Sequence, residues 1–514
     1  MRLRPNSPYL GIGLLILATT VAVALVALFG GLEYGELILL VVLFAAASWA
    51  FVNAQGQFSV QRLLELPCFL TIAFLVEFGL VPFLRHLGVD PYFASYPTVD
   101  NKALVRGLIY VMVGMIGFWA GCACFLSKKG RRQRPLLAEE SKLHSPARSR
   151  VLTLAFVLFA VGFAARLYML KHHIYYYVGS LDIYYSNLAS AQIVGFLAPF
   201  GGLALIVVAI ERFSGAFDAK VNLCFWSVFL SECVWGLISG MKGQLLQNFL
   251  LVGVVVSFLR PQIAKRWVIG FVVGLILIYP LFDQYRFLVR GPFSVVIGSP
   301  GQALRTQRLA LLQAAERTDG SSGWVEAGFQ STLDRLDMLE SVSTIVSLRS
   351  ETSQLRGDER LWMIPFYPFV PRFIWKSKPV LDKGARFSEI LGYGNQTSTS
   401  VTYPADLYLS LGVSGIVVGM FLLGILARRI ANIVTCSFSR RDLFFYAGLF
   451  LACTNIENDA FSFWAGFIKT LVTISAIAWI VYLPAGRLIG LALLRKSSPA
   501  VRDLRGTFEP QRGM

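Results

Sequence analysis

Apolar residues in this chain run together in long blocks rather than alternating or recurring on one helical face. Blocks of about 20 residues, the length that crosses a hydrocarbon core as a helix, repeat along it between short polar connectors. The pattern predicts about 12 spans, at 9–29, 36–53, 63–84, 104–126, 151–171, 190–211, 220–239, 244–259, 267–283, 409–427, 442–456 and 463–484. Lipid offers no partner to backbone N–H and C=O groups, so such spans are helices. One long stretch breaks the pattern. Residues 284–408 lack membrane-grade hydrophobicity yet sit between blocks that have it. The chain thus divides into spans 1–9 (1–283), a large loop (284–408), spans 10–12 (409–486) and a tail (487–514). The first block is full length and lacks a small-residue cleavage site, so it reads as a span and not a removable signal.

The loop has elements of its own. Ala303–Glu316 places Leu304, Leu311 and Leu312 among Arg305 and Arg308, a helix suited to a membrane surface. Phe329–Arg349 spaces Phe329, Leu333, Leu336, Leu339, Val342 and Ile345 by three and four residues, which predicts a helix packed on one side. Pro365, Pro368, Pro371 and Pro379 then forbid continuous helix, leaving aromatic packing to hold that segment. The Gly-, Ser- and Thr-rich run Gly392–Thr402 has the composition of a mobile lid.

Composition agrees with this picture. The 514 residues are 55% hydrophobic and only 15% charged, which excludes a soluble domain. A net charge of +17 raises the question of nucleic acid, but its placement answers it. With the N-terminus inside, cytoplasmic segments hold 26 Lys and Arg against four (Arg85, Lys102, Lys171, Lys242) in the short external connectors. That asymmetry is the positive-inside rule, and it puts both termini in the cytoplasm. The basic run KKGRRQR (Lys128 to Arg134) is then a topogenic loop and not a nucleic-acid patch. The large loop falls outside, with 14 basic and 12 acidic residues. All seven cysteines lie in or beside apolar spans, so no disulfide framework is expected in the loop.

Charges inside spans are costly and point to candidate chemistry. Here they are Glu77, Arg106, Arg166, Glu232, Asp283 and Lys469, all in the outer half of their spans, which suggests a polar cavity beneath the loop. Lys242 sits at the same level, in the tight turn SGMKGQ. In the loop Arg far outnumbers Lys. Guanidinium forks hold phosphate oxygens in pairs and keep their protons. Arg286, Arg290, Arg335, Arg372 and Arg386 therefore suit an anionic lipid-borne ligand, although any of them can instead pair with a loop acid such as Asp334 or Glu389. The chain has four histidines, none in the loop, and carries no HExxH, P-loop or GxSxG. Metal-dependent hydrolysis and ATP-driven work are disfavoured, and no cofactor is expected. His172 and His173, in KHHIYYY, read as interfacial anchoring.

Several segments in order carry a likeness: the Gly240–Gly243 turn between spans, LDRLDMLE (Leu333 to Glu340), PRFIWKSKP (Pro371 to Pro379), the flexible Gly/Ser/Thr stretch, and PADLYLSLGVSGIVVGM (Pro404 to Met420). In these the chain resembles the Wzy-type O-antigen or oligosaccharide repeat-unit polymerases of bacterial inner membranes. The motifs cover roughly a quarter of the chain. Ser-Leu-Gly stands where the family often has Asn-Phe-Gly, and Asp406 where Glu is commoner.

The resemblance implies an all-α polytopic, GT-C-like membrane protein with one long periplasmic loop. Its implied activity is metal-independent, inverting glycosyl transfer of a growing glycan from undecaprenyl diphosphate to a lipid-linked repeat unit. A flippase and a chain-length regulator are the implied partners. Arg335, Arg372 and Lys378 match motif positions and would stabilise the leaving diphosphate, supported by Lys242 and Arg166. Asp406, then Asp337 and Glu389, would serve as base. Trp375, Tyr393 and Tyr403 would stack on sugars. Two alternatives remain open. An O-antigen ligase shares the layout, but the resemblance gives ligases a loop histidine that this chain lacks. A transporter or flippase would show repeats and broken helices, and no repeat is evident.

Overall fold

The structure, a computed structural model, describes residues 33–482 apart from 56–58, 85–99, 126–144, 176–182, 184–185, 216–217, 291–296, 318–332, 334–335, 349–354, 356–360, 382, 392–398 and 437–438. Every regular element among the described residues is helical. We number the principal helices α1 (Glu33–Ala54), α2 (Leu66–Leu84), α3 (Asn101–Cys124), α4 (Ser145–Lys171), α5 (Leu188–Leu197), α6 (Phe200–Ser214), α7 (Ala219–Ile238) and α8 (Lys242–Leu259). They continue as α9 (Pro261–Arg290), α10 (Pro300–Arg317), α11 (Leu339–Ser347), α12 (Lys383–Ile390), α13 (Tyr403–Leu411), α14 (Val413–Cys436), α15 (Arg440–Cys453) and α16 (Ala460–Tyr482). Eight of the described stretches are long and apolar enough to cross a membrane: α2, α3, α4, α5–α6 taken together, α7, α8, α14 and α16. This is a polytopic, all-helical membrane protein. The apolar stretch Leu39–Ala54 in α1 is shorter, and the span expected at 9–29 lies outside the described residues.

The spine of the bundle is the contact between α3 and α14. There the chain uses glycine for close approach, since small residues let membrane helices meet backbone to backbone. A Cβ on Gly121 would overlap the carbonyl oxygen of Phe421, and one on Gly424 that of Phe118. The Cys122 thiol donates to the Gly424 carbonyl at 3.3 Å. Trp119 on α3 donates its indole N–H to the Thr71 hydroxyl on α2 at 3.1 Å, which ties a third helix to the pair. Beside the glycine contact lies a wholly apolar groove of about 350 Å³, lined by Val113, Ile116, Ala120, Val417, Val418 and Phe421.

The loop does not stand apart as a domain. Its helices sit among the ends of the spans. Ser343 on α11 lies against Gly107 of α3, and Tyr408 on α13 stacks on Tyr110 at 5.4 Å. The Tyr403 N–H donates to the Ile456 carbonyl at 2.9 Å, and the Met338 N–H to the Glu77 carbonyl at 3.0 Å. Glu77 lies in a π-helical turn, Val76–Leu80, within α2. Such a turn frees carbonyls from the α ladder, and the loop takes one of them.

Several boundaries differ from expectation. The helix expected from Ala303 begins at Pro300. Of the helix expected over Phe329–Arg349, the described regular part is α11, with Leu333 and Leu336 also helical ahead of it. Of the expected apolar positions, Leu333, Leu339, Val342 and Ile345 are buried, Leu336 is half-buried and Phe329 lies outside the described residues. The span expected from residue 409 starts at Val413, since Gly412 at φ +68° closes α13 and redirects the chain. Positive φ of this kind suits glycine. The expected lid Gly392–Thr402 falls partly outside the described residues, and its end is anchored. Thr399 N–H donates to the Ser388 hydroxyl at 2.7 Å, the Ser400 hydroxyl donates to the Glu457 carbonyl, and Thr402 is fully buried.

Candidate functional site

The polar groups singled out from the sequence fall into three places. The first is where the loop meets the outer ends of α13 and α16. Asp406, on the first turn of α13, is 4% exposed. Its Oδ1 accepts from Lys383 Nζ at 3.1 Å, and its Oδ2 accepts from the Ala460 N–H, at the start of α16, at 3.0 Å. Asp459 lies 3.9 Å from the same ammonium. Burial pushes the Asp406 carboxyl above the usual carboxylate range; Lys383 opposes this and Asp459 adds to it. The cluster therefore links α12, α13 and α16. Arg386 lies one turn beyond Lys383 and is half-buried. Tyr403 sits beside the cluster but is no sugar platform. It is fully buried, donates to the Gly419 carbonyl at 3.2 Å, and meets the Phe463 ring edge-on at 4.9 Å.

The second place is the proline-rich segment, residues 361–381. Arg372 donates to the carbonyls of Lys378 and Pro379 at 2.6 and 2.7 Å. Lys378 is buried and donates to the carbonyls of Tyr367 at 2.5 Å and Val370 at 3.0 Å, with its ammonium 4.2 Å from the Tyr367 ring. Burial lowers its pKa to about 8, with neighbouring Arg372 contributing. Both cations thus hold loop carbonyls in place of the expected diphosphate. Trp375 packs edge-on against Tyr367 at 6.4 Å and is half-buried, so packing engages this ring too.

The third place lies inside the bundle. Arg166 on α4 and Glu232 on α7 form a two-pronged ion pair at 2.5 and 2.8 Å, both side chains buried. Gly201, near the start of α6, makes room for it; a Cβ there would overlap Glu232 Oε1. Lys469 donates to the Gly195 carbonyl at 3.2 Å and lies 5.2 Å from the Phe196 ring. The reason is covalent. Residue 199 is proline, so the N–H that would close the ladder onto Gly195 is missing. α5 and α6 are one span broken at Pro199, and Lys469 from α16 satisfies the freed carbonyl. These charges, expected to line an open cavity, are instead committed to each other and to the backbone.

The remaining candidates are more dispersed. Arg286 Nε donates to the Gly240 carbonyl at 2.8 Å, bracing the Gly240–Gly243 turn, and Lys242 is buried at the start of α8. Asp337 is half-buried at the entry to α11. Arg106 and Glu389 are exposed. Arg335 and Tyr393 lie outside the described residues, as do the side chains of Asp283 and Arg290. His173 adopts φ 56°, its Nδ1 3.1 Å from the Ile297 carbonyl, while His172 packs on Tyr168. Among the described residues, no group of three His, Cys, Asp or Glu side chains is gathered to hold a metal. Lys383, Asp459 and Gln192 were not singled out as partners from the sequence. Only for Gln192 was there a readable signal, the prolines of the segment whose Pro368 and Val370 carbonyls it reaches.

A family model described as a domain of unknown function, DUF8712, matches residues 151–479. That range runs from α4 to near the end of α16 and is more than half of the chain. The chain belongs to the DUF8712 family. No curated protein and no solved structure matches it. The DUF8712 region contains the broken span, the Arg166–Glu232 pair, the whole loop and the Asp406 cluster, and leaves α1 to α3 outside.

Proposed function

We propose that this DUF8712 protein is a polysaccharide polymerase of the bacterial inner membrane, with about 12 spans, both termini cytoplasmic and the loop periplasmic. It would transfer a growing glycan from undecaprenyl diphosphate to a lipid-linked repeat unit. The observation that carries the reading is the Lys383–Asp406–Asp459 cluster, where the loop closes onto the start of α16. Asp406 is shifted in the direction a general base needs, and an ammonium beside it suits a departing diphosphate. In the proposed step the acceptor hydroxyl oxygen bonds to the anomeric carbon and the bond from that carbon to the diphosphate breaks. The lipid diphosphate keeps the electron pair, and the hydroxyl proton passes to Asp406. Arg386 and Arg335, on the same loop, are the remaining cations proposed for the diphosphate.

The test is a gel of membrane glycans from cells carrying wild type, Asp406→Asn, Lys383→Met or Arg335→Ala, at matched membrane levels of protein. The expected result is collapse of the long-chain ladder to single repeat units. An undiminished ladder with Asp406→Asn and Lys383→Met overturns the site. Normal chain length without attachment to lipid A core, on deletion of the protein, marks a ligase instead. The break at Pro199 favours a second reading as a transporter of lipid-linked sugars, since broken membrane helices commonly form transport sites. Here, however, Lys469 already takes the freed carbonyl.

A further inference from the structure

The segment 361–381 presents an unusual surface. Trp362, Phe366, Phe369, Phe373 and Ile374 are 60, 56, 38, 64 and 67% exposed. Five such side chains together on one segment mark a surface meant for an apolar neighbour.

Its position says which neighbour. Ile364 packs with Phe461 and Ala465 of α16, and Met363, Tyr367, Leu381, Trp464 and Ile468 border that cluster. Ala465 and Ile468 lie five and eight residues into a membrane span, about 8–12 Å below its end at 1.5 Å per residue. On the other side, Gln192 of α5 donates to the carbonyls of Pro368 and Val370 at 3.4 and 3.2 Å. The segment is thus wedged beside two spans at their own depth. On α16 itself Leu471, Val472, Trp479 and Ile480 are likewise exposed.

Irregular backbone survives at membrane depth only if its polar groups find protein partners. This segment is provided with them. The carbonyls of Tyr367, Pro368, Val370, Lys378 and Pro379 accept from Lys378, Gln192, Arg372 and the Tyr367 hydroxyl. Amide N–H groups of Phe366, Tyr367, Phe369, Val370, Ile374, Trp375 and Lys378 close local turns, and four prolines have no N–H to satisfy. Lys376, exposed at the far end, can reach headgroups by extending its stem.

We propose that residues 361–381 form a segment inserted into one leaflet, with Phe373 and Ile374 in contact with phospholipid acyl chains. Arg372, Lys378 and Gln192 serve as the backbone's internal solvent. This assignment stands whether or not the protein is a polymerase. A photoreactive benzophenone amino acid at Phe373 or Ile374, in the otherwise unaltered full chain, tests it. The protein is reconstituted in phosphatidylethanolamine–phosphatidylglycerol vesicles, irradiated and weighed by intact mass spectrometry. The expected result is a phospholipid adduct at both sites, matching the same probe at Val472. An adduct to a second copy of the chain, or no adduct at either site while Val472 reacts, overturns the proposal.

Discussion

A buried cation in this protein is almost always doing something for a neighbour a few ångströms away. Arg166 and Glu232 show the energetics most plainly. Their Coulomb attraction offsets a desolvation cost that neither group could bear alone. Removing one partner strands the other, so Arg166→Met or Glu232→Leu should each cost about 3–5 kcal/mol. The double variant Arg166→Met/Glu232→Leu should cost less than either. Thermal unfolding in detergent, read as a double-mutant cycle, checks this, and additive losses would show that the pair is not coupled. Lys378 makes a different kind of statement. Its native pKa of about 8 lies below the free value of 10.5. Between those values the unfolded chain binds a proton that the native chain does not, so the contribution of Lys378 to stability rises with pH across that window. Lys378→Arg keeps its charge throughout. The wild-type melting temperature minus that of Lys378→Arg should therefore grow from pH 8 to 10.5, and a flat difference would contradict the assignment.

Elements in this fold are interrupted where the sequence removes a donor or a Cβ. Gly412 ends α13 by adopting φ +68°, and a π turn at Val76–Leu80 exposes the Glu77 carbonyl to the loop. The break between α5 and α6 follows from Pro199, and Lys469 compensates for it from another helix. That exchange can be tested. Lys469→Met leaves the Gly195 carbonyl unpaired in the bundle, a loss of about 1.5–3 kcal/mol for a hydrogen bond to a charged group. Pro199→Ala restores the missing N–H, so Lys469→Met should cost less in that background. Equal costs in the two backgrounds, by thermal unfolding, would show that the lysine serves some other purpose. The prolines of the 361–381 segment were read from the chain as breakers, but Pro199 and Gly412 were not, since the expected spans 190–211 and 409–427 run through both. Which residue would come to repair each break was not legible either. Lys469 lies 274 residues from its acceptor, a distance that no local pattern spans.

The molecule as a whole is a helical bundle with an ionic arrangement at each rim. At the end away from the loop, Glu211 collects Arg440 at 2.9 Å and Arg148 at 3.6 Å, and Arg148 also reaches Asp218. At the loop end, Lys383, Asp406 and Asp459 tie α12 to α13 and to the start of α16. Of the expected set, Arg372, Lys378 and Asp406 are not gathered in one place, and Arg335 lies outside the described residues. Arg372 and Lys378 serve the proline segment, and Asp406 pairs with Lys383. The loop's composition marked the cations but not their partners, because guanidinium and ammonium groups satisfy whichever oxygen folding brings near. Hydropathy alone settles that this chain lives in a membrane as helices, and that residues 284–408 leave that pattern, since a span must be apolar over a length set by the bilayer. Three-dimensional packing had to assign each buried charge to its oxygen and bring the proline segment to membrane depth. Those outcomes depend on distances of a few ångströms between residues far apart in the chain.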